Sequence, residues 1–573
     1  MKTIRLTMGQ ALVKYLIAQR TIIDGEDKPL FAGVFSIFGH GNLSCFGEAL
    51  ESAQDVLPTY RGQNEQGMAL AAVGYAKHMK RRQFMVVTAS VGPGSSNMVT
   101  AAGTAHANRL PVLLLGGDSF TSRLPHPILQ SVEQFDDPST TVNDAFRAVT
   151  RYWDRIVAPE QLISSLPQAV ATMLDPADCG PVFLGLPQDT QGVAFDYPEV
   201  FFTPTVNTIR RARPDTENLV AAAEVLRSAK KPLIVSGGGV HYSLATEELR
   251  SFAEHHNIPV VETIAGRAAI TWDHPLNVGS LGFFGFQSAN NVAAEADVVF
   301  AVGTRLADFP TASWTVFQNP DMRLVALNVA RYDAGKHRAV GVVGDAQVGL
   351  TELSAALGDW RGPKQWTVRA AKEAADWNEV LDRHRGPTNI DPPPYSHVIG
   401  AVLRGCDPTD VVISAAGGLA HETTKSWQAR TVGSYDCEFG YSCMGYEISG
   451  AWGAKMARPD QEVISFCGDG SYLMMNSDIY SSVLNGHKLI VVVCDNGGFA
   501  VVDRLAVGTG SEGFNNMLDT LKVDKPFRID FAKHAEAMGA LRKRPGNQRV
   551  RAGVQARQGG RPDLRDPHQD RHR

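Results

Sequence analysis

At 573 residues the chain is too long for a single hydrophobic core, so about two to four domains are expected, and a 44% hydrophobic content is enough to fill them. A formal charge of −5 argues against a nucleic-acid or membrane partner, and no apolar run reaches the roughly 18 residues that a spanning helix needs. Seven cysteines, none in C-x-x-C spacing, and an N-terminal stretch without a signal-peptide core point to a reduced, cytoplasmic protein.

In chain order, Thr7 stands where it can cap a helix carrying Ala11, Leu12, Tyr15 and Leu16. Residues 30–38 read as an apolar strand leaving through Gly39-His40-Gly41-Asn42. Glu65 opens an Ala-rich helix that ends near Lys80. Alone it reads as a first-turn carboxylate favoured by the helix dipole, or as a buried carboxyl of raised pKa in an apolar neighbourhood. A strand at 84–88 precedes Val91-Gly92-Pro93-Gly94-Ser95-Ser96-Asn97, which opens the next helix. A further strand at 111–115 runs out into Gly116-Gly117-Asp118. This alternation predicts an α/β fold, with a doubly wound parallel sheet over residues 1–194.

The Pro-punctuated stretch 195–215 reads as an irregular linker. A second α/β domain, 216–359, starts with a strand at 231–235 and Gly237-Gly238-Gly239. These glycines serve either a nucleotide cradle or tight packing, and no G-x-G-x-x-G fingerprint completes the first reading. His255-His256 reads as a solvated helix end, and the polar stretch 360–394 as a second linker. The third α/β domain, 395–540, has a strand at 410–414 closed by Ala415-Ala416-Gly417-Gly418. Beyond Ala540 the apolar pattern stops. The tail 541–573 holds nine Arg, one Lys and three Asp, or +7, leaving −12 elsewhere. It reads as a basic RNA-binding arm or as a replaced or frame-shifted tail.

The most informative stretch is 462–499. Two apolar, β-branched runs, at 463–467 and 489–494, flank room for a turn and one helix. That is a βαβ unit whose parallel strands end at one sheet edge. Gly468-Asp469-Gly470-Ser471 closes the first strand and Asp495-Asn496-Gly497-Gly498 the second, so Asp469 and Asn496 should meet in space. A carboxylate, an amide oxygen and a free carbonyl suit Mg²⁺, and the glycines let backbone N–H groups reach a phosphate. Gly-Asp-Gly alone also fits an ordinary solvated turn; the pair at this spacing is more specific.

These two motifs resemble the signature of thiamine-diphosphate enzymes. The resemblance implies three doubly wound domains: pyrimidine-binding, central and diphosphate-binding. It implies Mg²⁺ on Asp469, Asn496 and the Gly498 carbonyl, and thiamine diphosphate against Gly92, Gly417, Gly418, Ser442, Met444, Gly470 and Ser471. Glu65, in Glu-Gln-Gly-Met-Ala, matches the cofactor-activating glutamate, and Met444 the bulky residue that bends the cofactor. The central domain is structural in the family and binds a flavin or nucleotide in some members. The family further implies a homodimer or homotetramer, with Glu65 facing Asp469 of the partner subunit. His40 is either a proton donor to the substrate or a loop-ordering histidine. Phe439-Gly440-Tyr441-Ser442-Cys443-Met444-Gly445, Phe38-Gly39-His40-Gly41-Asn42 and Asp495-Asn496-Gly497-Gly498-Phe499 resemble the branch that hydrolyses a carbon–carbon bond of a cyclic dione in inositol breakdown. The alternatives are an acetolactate-synthase-like carboligase and a catalytically impaired cofactor binder.

Overall fold

The structure, a computed structural model, describes residues 2–541 apart from 133 and 526. The basic tail 542–573, including the arm or frame-shift reading, lies outside the described residues.

Three parallel sheets organise the chain. In the first, strands follow the order Thr59–Arg61, Phe31–Ser36, Phe84–Ala89, Leu113–Asp118, Val182–Pro187, Tyr152–Arg155, all parallel. The central sheet runs Asn277–Ser280, Val260–Glu262, Pro232–Ser236, Val298–Val302, Arg323–Asn328, Val340–Val343, the order of a dinucleotide-binding fold. In the third, Tyr435–Cys437, Val411–Ser414, Val463–Gly468 and Ile490–Cys494 repeat the strand order that opens the first sheet. The central strands of each sheet are continuous β-branched and aliphatic runs because helices cover both faces. Thr7 caps helix Met8–Ala18 with a complete capping box. All seven cysteines are free thiols. Among the described residues no helix is long and apolar enough to cross a membrane.

Both linkers are more ordered than their composition implies. Within 195–215, Ala194–Pro198 pairs antiparallel with Thr3–Thr7, and Thr205–Asn207 pairs parallel with Gln19–Ile23. Tertiary pairing supplied what the local sequence did not advertise. Within 360–394, Lys364–Arg385 is a 22-residue helix. Its exposed face carries the ion pairs Arg369–Glu373 and Lys372–Asp376, while Trp366, Ala370 and Leu381 are buried. His256 is not solvated: it is buried and bonded to the Trp360 carbonyl at 2.7 Å and the Ser354 hydroxyl at 2.8 Å. Gly237 and Gly239 pack against Gly303, so close approach of two turns explains the glycines. The segment after Gly468 is two helices, Asp469–Met475 and Ser477–Leu484, rather than one.

The first and third domains meet closely at a helix crossing. Glu65–His78 packs on Tyr446–Ala457 so closely that a Cβ on Gly453 would stand 1.8 Å from the Ala71 carbonyl oxygen. At one end of the crossing the buried Asp436 carboxylate takes Lys77, His78 at 3.2 Å and the Tyr446 hydroxyl at 3.0 Å. Burial acts to raise the Asp436 pKa, but Lys77 and His78 hold it well below the usual carboxylate range.

Candidate active site

The strand pairing sets Gly468 opposite Cys494, so Asp469 and Asn496 project from one sheet edge. Asp469 is only 6% exposed. Burial, and then the Asp495 charge, raise its pKa, while the backbone N–H groups of Asn496 and Gly498 act in the opposite sense. The Asn496 amide donates to the Tyr395 hydroxyl, which fixes the side chain from behind. Asp469 Oδ1 and Asn496 Oδ1 are then both buried without a hydrogen-bond partner. The turn itself is pinned: Phe499 N–H donates to Asn516 O and Leu518 N–H to Gly497 O, each at 2.8 Å. No hydrogen bond engages the Gly498 carbonyl among the described residues. Two orphaned oxygens in one place are costly unless something outside the protein completes them. Carboxylate, amide and carbonyl oxygens are the donor set of a hard divalent cation, so the residues present fit Mg²⁺.

Beside this edge, between Val411–Ser414 and Val463–Gly468, the strand order reverses, which is where sheets of this kind take ligands. Helices Gly417–Ser426 and Asp469–Met475 begin there and present Gly417, Gly418, Gly470 and Ser471. Gly470 allows close approach: a Cβ there would stand 2.5 Å from the Phe499 ring and 3.4 Å from Met444 Cε. Met444 therefore adjoins the head of helix Asp469–Met475. Its loop, which includes Ser442 at φ +56°, is held by Glu438. That carboxylate accepts the Tyr441 and Cys443 N–H groups at 2.8 Å and the Asn108 amide at 2.9 Å.

Glu65 lies in a different domain. Asn64 caps its helix by accepting Gly67 N–H at 3.1 Å. The Asn97 amide donates to Glu65 Oε2 at 2.8 Å, and Oε1 faces Gly94. The setting is half-buried and polar, not the apolar burial expected, because Asn97 turns in from the neighbouring loop. Glu65 and an exposed His40 line one open cavity of about 650 Å³ with Phe38, Ser90 and Gln130. Gly92, at φ +68°, packs on Gln130. Glu65 opens a helix of the first domain and Asp469 a helix of the third. No hydrogen bond or ion pair joins Glu65 to Asp469 or Asn496 among the described residues. A separate, more enclosed cavity of about 490 Å³ lies between the first domain, with Thr21, Arg81 and Asn108, and the strand ends of the central domain, with Gly238, Gly303 and Asn328. Asn97, Tyr395 and Glu438 were missed as site residues. Asn97 sits at the end of a quoted loop motif, whereas Tyr395 follows a proline-rich stretch with no signal at all.

Three α/β domains, with glycine-headed helices at a sheet switch point of the third, fit the class of thiamine pyrophosphate enzymes. Family models described as the N-terminal TPP binding, central and C-terminal TPP binding domains of thiamine pyrophosphate enzymes match residues 31–137, 219–353 and 415–563. The last match runs past Ala540, where the apolar pattern stops. The chain is 43% identical to the 3D-(3,5/4)-trihydroxycyclohexane-1,2-dione hydrolase of Geobacillus thermodenitrificans, over 94% of this chain and 88% of that one. It is 41% identical, with the same coverage, to the enzymes of that name from Clostridium tetani and Bacillus cereus. The chain belongs to the thiamine pyrophosphate enzyme family.

Proposed function

We propose that this protein is a thiamine-diphosphate-dependent hydrolase that breaks a carbon–carbon bond of 3D-(3,5/4)-trihydroxycyclohexane-1,2-dione, opening its ring to 5-deoxy-glucuronate in inositol breakdown. The observation that carries this reading is the pair of orphaned oxygens, Asp469 Oδ1 and Asn496 Oδ1, in a chain 43% identical to a hydrolase of that dione.

When bound, thiamine diphosphate supplies a nucleophilic thiazolium carbon and an electron sink. The protein's own groups do the rest. Asp469, Asn496 and the Gly498 carbonyl would hold Mg²⁺. The turns at Gly417, Gly418, Gly470 and Ser471 offer N–H groups to phosphate, while Met444 and Phe499 wall the space over Gly470. Asn97 holds Glu65 by one oxygen, leaving the other to exchange a proton with a ring nitrogen of the pyrimidine. His40, on the rim of the same cavity, gives a proton to a substrate oxygen. A homodimer or homotetramer that shares each site between subunits, as the family resemblance implies, is part of this reading.

The test is an assay of the purified protein with thiamine diphosphate, Mg²⁺ and the dione, following ring opening. Turnover that needs both additions is expected. Acetolactate formation from pyruvate without dione turnover would move the chain to the carboligases. Cofactor binding with neither reaction would make it an impaired relative.

A further inference from the structure

Arg504 lies on helix Ala500–Gly508, which follows directly on the Asn496–Gly498 turn. No carboxylate lies within salt-bridge distance of it among the described residues, although Arg528, beside the same turn, is held by Asp495 and Asp519. The Arg504 side chain reaches the head of helix Gly417–Ser426 instead. Its Nη2 stands 2.9 Å from the position of a Cβ on Gly418, and Val501, one turn earlier, rests on both Gly417 and Gly418. Its charge is felt on either side of that turn. Burial first, then Lys425 and then Arg504 bring His421 down to about 4, and Arg504 acts in the lowering sense on the Tyr395 hydroxyl, which burial raises. His421 Nε2 is itself buried without a partner.

An unpaired guanidinium therefore overhangs a glycine turn at the head of a ten-residue helix, across from two orphaned, buried oxygens suited to a cation. A diphosphate brings more negative charge than one divalent cation held by one carboxylate can offset. Guanidinium is the side chain best matched to phosphate oxygens, which it can take two at a time.

We propose that Arg504 binds the diphosphate of the cofactor, closing over the Gly417–Gly418 turn opposite the cation. This rests on the thiamine-diphosphate reading of the site. Because helix Ala500–Gly508 grows out of the Asn496–Gly498 turn, filling the cation site and placing Arg504 are coupled events.

The experiment is isothermal titration at saturating Mg²⁺ with two probes, thiamine diphosphate and inorganic pyrophosphate. Wild type is compared with Arg504→Gln and Arg504→Lys, with circular dichroism to check folding. Arg504→Gln should weaken both probes by about 10–100-fold, as loss of a charge-assisted phosphate contact does, and Arg504→Lys should recover part of the loss. Unchanged affinity of Arg504→Gln for both probes overturns the proposal; if KM for the dione rises in that case, Arg504 serves the substrate instead. Binding of neither probe by wild type overturns the cofactor reading itself, and this inference with it.

Discussion

Substituting Gly453 by Ala tests how the two site-bearing domains are joined. An ideal Cβ at 453 stands 1.8 Å from the Ala71 carbonyl oxygen and 2.7 Å from the Tyr75 nitrogen. Both are backbone atoms of the facing helix, so no side chain can turn aside. Restoring an ordinary contact of about 3.5 Å forces the helices apart by more than about 1 Å. Overpacking of a filled interface costs about 1–3 kcal/mol, and an overlap with backbone belongs at the upper end. Alanine returns about 1 kcal/mol through helix propensity, so the net loss is about 2 kcal/mol. Gly508→Ala is the control: a Cβ there has nothing within 4 Å, and a change of well under 1 kcal/mol in either direction is expected. Urea unfolding followed by circular dichroism reads both variants, using the midpoint of the first transition because a multidomain chain need not unfold in one step. Gly453→Ala as stable as wild type would refute the close crossing. The consequence for function is direct, since Glu65 opens one of these helices and the Met444 loop leads into the other.

Further expectations follow from individual contacts. Glu65→Gln should cut dione turnover by about 10²–10⁴-fold with an unchanged melting curve, and retained turnover would discard its role. Tyr395→Phe releases the Asn496 amide and should weaken Mg²⁺ binding by about 10–100-fold, measured by titrating metal in the presence of cofactor; an unchanged metal affinity would mean that Tyr395 only packs. Burial drives the His78 imidazole down to about 4 despite its bond to Asp436. A histidine whose folded pKa is depressed contributes its full stability above its unfolded pKa of about 6.5, and that contribution is lost as pH falls towards 4. Its share is on the order of 3 kcal/mol, so unfolding midpoints should fall steeply between pH 6.5 and 4 in wild type and less steeply in His78→Gln. Parallel slopes would refute this assignment.

Much of the architecture was readable because parallel strands buried on both faces leave continuous β-branched runs that end in glycine turns. That is why the runs before Asp469 and Asn496 could be paired in space from spacing alone. The 360–394 helix escaped notice because its stabilising contacts are Trp366, Ala370 and Leu381 spread over many polar residues, a face too sparse to see without its partner. The strands at 194–198 and 205–207 exist only through pairing with distant segments. Within the candidate site, the residues proposed to hold cation and cofactor sit in short motifs, so Asp469, Asn496, Gly470 and Glu65 could be picked out from the sequence. The residues that hold them did not stand out: Tyr395 reaches Asn496 over 101 positions, and Asn108 reaches Glu438 over 330. The polar environment of Glu65 was misread for the same reason, because Asn97 is 32 residues away on another loop.

The most direct test of the account is a titration with Mn²⁺ in place of Mg²⁺, followed by electron paramagnetic resonance in the presence of thiamine diphosphate. Wild type should take up one tightly held ion per chain, and Asp469→Ala and Asn496→Ala should each lose that tight ion while remaining folded. Tight Mn²⁺ binding that survives in either folded variant would contradict a cation shared between those two oxygens.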